Sequence, residues 1–289
     1  MSTLEELLED LDSFPTIPAI AQQVINQLGD SNAGLAEIAG LISQDALLTA
    51  RIYRLVRSPI YSGQMPMESL HDAIMRVGVK GIRNLAFSVA ILDMLPELPE
   101  PLSVQGFWTI GLGTALSAQH LAGDVGYSKP ETAYIAGLVH SLGEAYLAIN
   151  HTRRYARAIE NARKAEISYE VGLMDEFGLP HSEVAAEVLR RWNMAEDVVD
   201  AVAHHLECQH AEDPLLAGIV FAADRICRDL RLAAPDAGHS ERAWVEEIPP
   251  ELMSKINSIG YPDITFYLME QQEFLSYVSD TVRSIFSEQ

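Results

Sequence analysis

The sequence predicts an all-α protein, because apolar residues recur at helical spacing in one segment after another. Short stretches with proline, glycine or a capping residue separate these segments, as expected for helices joined by brief connections. No segment has the alternation of apolar and polar residues that is typical of a half-buried strand. Apolar residues make up 48% of the 289 residues, which is enough for a sizeable core.

The sequence pattern of the first third of the chain predicts short helices. Thr3 and Glu6 have the spacing of a capping box, which predicts a helix over LEELLEDL. Pro18 suits the first position of the next helix, and Gly29 suits its end. Further helices are predicted over residues 36–42, from a cap at Asp45 to Ser58, over 67–77 with Gly78 at the end, and over 82–95.

The segment PELPEPLS, residues 96–103, contains three prolines and predicts a boundary between two subdomains. Helices are predicted after it over residues 107–122, 130–149, 152–165, 168–177, 182–192, 196–206 and 214–232. Thr152 is expected to cap one of them and Gly178 to close another. The irregular stretch APDAGHSERAWVEEIPP precedes two closing helices, around residues 251–258 and 265–286. The last helix is amphipathic, so it could cover the core or form a homodimer.

The charge of the chain argues against a nucleic-acid ligand. With 41 acidic and 20 basic residues, the formal net charge is −21 at pH 7, and such a surface repels a phosphate backbone. The best candidate for a local basic patch is the 51–57 segment together with Arg76, Lys80 and Arg83, although such residues usually form ordinary solvated helix faces. We therefore expect no direct nucleic-acid binding.

The absence of characteristic motifs excludes several other classes of protein. Cys208 and Cys227 are too far apart for a zinc ribbon, give no disulfide framework and fit a reducing cytosol. The acidic N-terminus lacks the features of a signal peptide, and no run approaches the roughly 20 apolar residues of a membrane span. No GxSxG motif or phosphate-binding glycine loop occurs. We expect a soluble cytoplasmic protein without membrane contact.

His140 and Asp224 are the first candidates for a functional site. His140 ends the apolar run YIAGLVH, and an aspartate after it would propose a metal site, but the next residue is Ser141. A single histidine in this position is more often a hydrogen-bonded core residue. Asp224 projects from the edge of a buried helical face, where a carboxylate must be paired or coordinated. An i,i+4 ion pair with Arg228 is the simplest explanation.

Other histidines add weaker candidates. His204 and His205 diverge by about 100° on a helix, so only one of them can face a given point. His205 shares the buried face, whereas His204 follows Asp200 by four residues and is expected to form a surface pair. His181 lies just before a predicted helix start at Ser182, where it could reach a cleft or simply pack.

Residues 14–232 resemble the HDOD family, the HD-related output domains of bacterial signalling, which are relatives of the HD and HD-GYP metal-dependent phosphohydrolases. The matching stretches occur in order: FPTIPAIAQQVINQL, LAEIAGLISQDALLTARIYRLVRSPIY, MESLHDAIMRVGVKGIRNLAFS, FWTIGLGTALSAQHLA, YIAGLVHSLGEAYL, GLPHSEVAAEVLRRWNMAEDVVDAVAHH and VFAADRI. The resemblance implies a multi-helix HD-like bundle over 104–232 and an additional N-terminal helical subdomain over 14–95. A helix over 1–13 and a helical extension over 233–289 would flank this domain.

The resemblance also implies where a metal site would lie. A catalytic HD domain uses a histidine on an early helix, an adjacent His-Asp pair and a later aspartate. These positions correspond to Ile110, the pair His140-Ser141 and Asp224, so two of four ligands are replaced. A dinuclear centre needs bridging carboxylate charge, which Ser141 does not supply. We therefore expect no cofactor.

Some metal-binding capacity is still conceivable at these positions. A single divalent metal held by His140 and Asp224, with His181 or His205, is the remaining alternative, since two histidines and a carboxylate form a known ligand set.

Two functions of different classes follow. The favoured one is a non-catalytic signal-transduction or regulatory module that acts by binding signalling proteins. The alternative is a divergent metal-dependent phosphohydrolase that acts on a nucleotide or cyclic dinucleotide, with ligands from His140, His181, His205 and Asp224. A nucleotide sensor without turnover is a third possibility, for which the sequence contains no distinct motif.

Overall fold

The computed structural model describes residues 3–19, 21–23, 40, 42, 46–61, 69–92, 94–95, 97–230, 232 and 243–286. In these residues the regular structure is helical and no strand occurs, which confirms the predicted all-α class. The α-helices are α1 Leu4–Leu7, α2 Ala46–Val56, α3 Leu70–Leu92, α4 Val104–Asp124, α5 Pro130–Val139, α6 Leu142–Asn150, α7 Thr152–Ala165, α8 Tyr169–Phe177, α9 His181–Arg191, α10 Glu196–His204, α11 Pro214–Asp229, α12 Pro250–Ser258, α13 Ile264–Glu270 and α14 Gln272–Phe286.

The chain forms two compact units. The first contains residues 1–15 and 97–272, and the second contains residues 16–96 and 273–289. The prediction of one closing helix over 265–286 is therefore wrong. Helix α13 ends at Glu270 and α14 begins at Gln272, and the two helices belong mainly to different units. Among the described residues, no helix has the length and apolar character needed to cross a membrane.

Helix α4 forms the centre of the first unit and packs against α5 and α11. Its small residues allow close approach to these neighbours. A Cβ on Gly111 would lie 3.0 Å from the carbonyl oxygen of Leu138, and one on Gly137 would lie 3.0 Å from that of Thr114. The α4 and α5 backbones are thus nearly in contact, which fixes the end of α5 within the core.

The predicted single helix over 130–149 is wrong, because the chain turns at His140 and Ser141 between α5 and α6. Ser141 has φ −96° and ψ 8°, outside the regular helix. The change of direction brings α6 onto α9, where a Cβ on Gly143 would lie 1.9 Å from the carbonyl oxygen of His181. Only glycine permits this approach, and it places the start of α9 close to the turn.

Helix ends follow the predicted capping in part. Thr3 and Glu6 form the expected capping box, and Ser168 caps α8 by accepting a hydrogen bond from the Val171 amide. Gly178 closes α8 in the left-handed conformation, with φ 83°. The predicted cap at Thr152 is wrong, because its hydroxyl donates backwards to the carbonyl oxygens of α6, an alternative open to threonine.

The start of the chain is anchored to the first unit. The Tyr146 hydroxyl donates to the carbonyl oxygen of Leu7 at 2.9 Å, and His151 Nε2 donates to the same oxygen at 2.9 Å. Phe14 lies beside Tyr146 and Trp192, with ring centroids 5.4 and 6.4 Å away.

The second unit is built on α2 and α3, which pack against each other. Two helices separated at Gly78 are predicted here, and the structure confirms the break: α3 consists of two helical segments that meet in a kink at Gly78, which has the non-helical values φ 76° and ψ 164°. Arg83 is buried, so it does not belong to a surface basic patch. The cap at Asp45, and most of the helices predicted from Pro18 to Gly29 and over 36–42, lie outside the described residues.

Candidate functional site

His140 is completely buried at the end of α5 and makes two hydrogen bonds. Nδ1 donates to the carbonyl oxygen of Gly137 at 2.7 Å, one helical turn earlier. Nε2 lies 3.1 Å from Oδ1 of Asp224 on α11. Since both ring nitrogens face acceptors, both bonds are made when the ring carries two protons. The expected hydrogen-bonded core histidine is therefore found.

Asp224 is buried with both carboxylate oxygens engaged. Oδ1 faces His140, and Oδ2 accepts a hydrogen bond from Nε of Arg228 at 2.9 Å, which confirms the predicted i,i+4 pair. Burial acts to raise the pKa of this carboxyl, but the Arg228 charge and the His140 hydrogen bond hold the pKa well below its usual value. Asp224 is consequently an anion in the core, neutralised by side chains of the protein itself.

Helix α8 extends this ion pair into a network. Arg228 Nη2 donates to the hydroxyl of Tyr169, and its guanidinium carbon lies 4.6 Å from the Tyr169 ring centroid. Burial raises the pKa of Tyr169 well above its usual value, so the phenol stays neutral. Arg225 pairs with Glu170 at 2.7 Å and lies 3.9 Å from Asp224. Two arginines thus balance two buried carboxylates.

His205 and His181 complete the cluster of candidate residues. The His205 ring centroid lies 5.4 Å from that of His140 and 5.7 Å from that of His181. His205 Nδ1 donates to the carbonyl oxygen of Val202 at 2.7 Å. Burial lowers the pKa of His205 to about 3 and that of His181 to about 4, so both rings are neutral near pH 7.

The structure therefore brings together the four candidates His140, His181, His205 and Asp224. His204 faces away and lies 3.7 Å from Asp200 in a partly exposed pair, as the helical spacing predicts. His181 is the first residue of α9, one position earlier than the predicted helix start, and its ring stacks at 6.2 Å on Tyr169.

Sequence reasoning missed Tyr169, Glu170 and Arg225 as members of the site. Glu170 lies 55 residues before its partner Arg225, so no local spacing connects them. One signal was present. The run DRICR places two arginines on an otherwise apolar helix, and a buried arginine requires an acidic partner.

Some buried polar atoms in this region have no hydrogen-bond partner among the described residues. They include Ser141 Oγ and both ring nitrogens of His181. Such atoms lose their hydration without compensation, which makes them the natural contacts for water or another small molecule. The buried carboxylate of Glu144, by contrast, accepts a hydrogen bond from the Tyr155 hydroxyl at 2.7 Å.

The residues present do not fit a dinuclear metal centre. In the part of the chain that the structure describes, no three side chains of His, Cys, Asp or Glu are arranged to hold a metal ion. Asp224 already binds two cationic or proton-donating groups, Ser141 carries no charge, and Ile110 presents an aliphatic side chain on α4. A metal at Asp224 would have to displace Arg228 from Oδ2 or a proton from His140.

Comparison with known proteins agrees with the helical architecture. The chain is 24% identical to an HDOD domain protein of unknown function from Geobacter sulfurreducens, with a TM-score of 0.84 and 97% of each chain covered. It is 20% identical to a candidate phosphohydrolase from Shewanella amazonensis SB2B, with a TM-score of 0.72 and coverage of 96% and 97%. A candidate signal transduction protein from Marinobacter aquaeolei VT8 is 23% identical, with a TM-score of 0.71 and coverage of 96% and 60%.

A curated relative and a family model extend these likenesses. An uncharacterised protein from Treponema pallidum (strain Nichols) is 26% identical over 97% of this chain, which spans about half of that relative's length (51%). The model of the HDOD domain matches residues 14–208, well over half of the chain. The match starts where the sequence analysis placed the domain, whereas the limit at 232 stays a prediction. On this match, the chain belongs to the HDOD domain family.

Proposed function

We propose that this HDOD protein is a non-catalytic signal-transduction or regulatory module that acts by binding signalling proteins. One observation carries the proposal: Arg228 occupies Oδ2 of Asp224, the single carboxylate at the positions where the resemblance implies metal ligands. The site has become an internal ion-pair network that stabilises the bundle. What remains available for function is the surface of the molecule.

The charge of Arg228 opposes the binding of a metal ion at Asp224. A divalent ion about 5 Å from a guanidinium charge is repelled by roughly 7 kcal/mol at an effective dielectric constant of about 20. A coordinating aspartate oxygen lies only about 2 Å from its metal and attracts it more strongly than this, but Arg228 offsets a substantial part of the attraction of Asp224. Binding would then depend on neutral donors, and His181 and His205 alone do not supply the charge that two metal ions need.

The relatives support this proposal unequally. The protein from Marinobacter aquaeolei is described as a candidate signal transduction protein, which agrees with the proposal. The protein from Shewanella amazonensis is described as a candidate phosphohydrolase, which agrees with the alternative. Both are under 25% identical to this chain, so they support the shared fold, and the residues of this chain must distinguish between the two functions.

A divergent metal-dependent phosphohydrolase for a nucleotide or cyclic dinucleotide is the second candidate. The observation that favours it is His181, whose two buried ring nitrogens have no hydrogen-bond partner in the described residues. Together with His205 and Asp224, this ring could supply a ligand if Arg228 moved aside. Such a site would hold one ion at most.

Elemental analysis and hydrolysis assays separate the two candidates. Protein purified without chelator is expected to contain no stoichiometric transition metal. It is also expected not to hydrolyse bis(p-nitrophenyl) phosphate or a cyclic dinucleotide when Mn²⁺ or Fe²⁺ is added. Bound metal, with hydrolysis that is lost in His140→Ala and kept in the exposed control His71→Ala, would overturn the proposal. Circular dichroism of both variants shows whether the fold is retained.

A further inference from the structure

A groove of about 600 Å³ lies on the first unit, bounded by α8, α9, α10, α11 and the 3₁₀ turn Ala243–Glu247. Its buried lining includes Phe221, Trp244 and Arg225, the last being a member of the ion-pair network. The guanidinium carbon of Arg225 lies 5.1 Å from the Phe221 ring centroid and is further held by Glu170. The deep part of the groove therefore combines two aromatic rings with one paired arginine.

The rim of the groove exposes apolar side chains on α8. Val171 and Met174 are 47% and 45% exposed, and they lie one helical turn apart on the same face. Leu206 also lines the groove. Neighbouring exposed apolar side chains in a concave surface are typical of a site that binds another apolar group.

The groove is acidic as well as apolar. Four glutamates and one arginine line it, which leaves three negative charges when the lining histidines are neutral. Glu170 is paired with Arg225, and Glu207 lies 3.0 Å from His210. The remaining two, Glu183 and Glu247, are exposed and have no ion-pair partner in the described part of the chain. This charge, within a chain of net charge −21, favours a cationic partner.

A second, independent observation points to a ligand. Ser182 lies in the wall of the groove, is 1% exposed, and its Oγ has no hydrogen-bond partner among the described residues. A buried hydroxyl without a partner is costly, and a donor or acceptor of a bound molecule would satisfy it.

We propose that this groove binds a basic amphipathic segment of a partner protein. Apolar side chains of the segment pack on Val171 and Met174, and its lysines or arginines face Glu183 and Glu247. A polar group of the segment reaches Ser182. The inference rests on the proposed function, since a module that acts through partners needs such a surface, and it names the surface and the chemistry of the partner.

Fluorescence anisotropy with labelled model peptides tests the proposal. The probe is a helical peptide of leucine and lysine; one comparison peptide has glutamate for lysine, and another has serine for leucine. We expect only the leucine–lysine peptide to bind at low salt. Glu183→Gln/Glu247→Gln should weaken this binding about tenfold, since two exposed charge contacts are lost. Met174→Ser should also weaken it, by removing apolar contact area from the rim without changing the charge of the groove.

A matched control distinguishes contact from overall charge. Glu9→Gln/Glu97→Gln removes the same charge from exposed residues that do not line the groove, and it should leave binding within about twofold of the original. Equal binding by both double variants, equal binding of the serine–lysine peptide, or no binding would each overturn the inference. These results are separate from the metal and hydrolysis assays, so the groove can fail while the non-catalytic assignment stands.

Discussion

Replacing Arg228 by methionine tests whether the buried network stabilises the fold. The substitution keeps much of the apolar volume but leaves Asp224 as a buried carboxylate with His140 as its hydrogen-bond partner and Arg225 3.9 Å away. Removing one partner of a buried ion pair costs about 3–5 kcal/mol, because the other charge stays desolvated. The lost hydrogen bond to Tyr169 adds to this cost. We therefore expect Arg228→Met to lower the free energy of unfolding by about 3–5 kcal/mol.

Urea denaturation followed by tryptophan fluorescence is a suitable assay. Trp108, Trp192 and Trp244 all lie in the first unit, so the signal reports the unit that contains the network. The control is Arg190→Met, since Arg190 is largely exposed and its ion pair with Glu187 lies on the surface of α9. An exposed pair of this kind is worth about 0.2–1 kcal/mol.

A double variant makes the test specific to the pair. In Arg228→Met/Asp224→Asn the uncompensated charge is gone, so the loss of stability should be smaller than the sum of the two single losses by at least about 1 kcal/mol. If Arg228→Met costs no more than Arg190→Met, or if the two single losses simply add, the ion pair is not a stabilising replacement for a metal. A stabilising role for the buried network would then be refuted.

Three further predictions follow from the same region. His181 and His205 have folded-state pKa values of about 4 and about 3, below the roughly 6.5 of an unfolded histidine, so the unfolded chain binds more protons. The free energy of unfolding, measured by urea titration, should therefore fall by up to about 2–3 kcal/mol per pH unit from pH 6 towards pH 4. His205→Gln should flatten this pH dependence. Gly143→Ala should lower the free energy of unfolding by more than about 3 kcal/mol or abolish folding in thermal melts, because its Cβ would meet the backbone of α9. The control Gly123→Ala, with open space around it, should be neutral or slightly stabilising. Ile110→His/Ser141→Asp/Arg228→Met should hold a divalent metal by elemental analysis, whereas Ile110→His/Ser141→Asp with Arg228 retained should hold less.

Local sequence patterns predicted those features of the structure whose physical cause lies within a single helix. The helical class, the burial of His140 and the Asp224–Arg228 pair all depend on spacing within a single helix, and they were predicted. The divergent directions of His204 and His205 have the same origin.

Contacts between distant segments could not be predicted in this way. The break at His140 and Ser141 was missed because the residues on both sides form a continuous apolar helical pattern. The turn is favoured by the approach of Gly143 to the backbone of α9, a contact between segments about forty residues apart. The pairing of Arg225 with Glu170 likewise depends on how α8 and α11 meet, which no local pattern records.

The replacements in this site are physically consistent with one another. Without a metal, a carboxylate at position 224 would be a buried anion, and Arg228 at i+4 supplies the missing cation from the same helix. An aspartate at position 141 would add a second anion, although Arg228 is already paired with Asp224 and Arg225 with Glu170, and the uncharged Ser141 avoids this. Ile110 removes a donor and adds apolar surface to α4 instead. Each of these residues suits a site neutralised by arginine and would weaken one neutralised by metal, which is why we propose that the cluster is a structural ion-pair network rather than a catalytic centre.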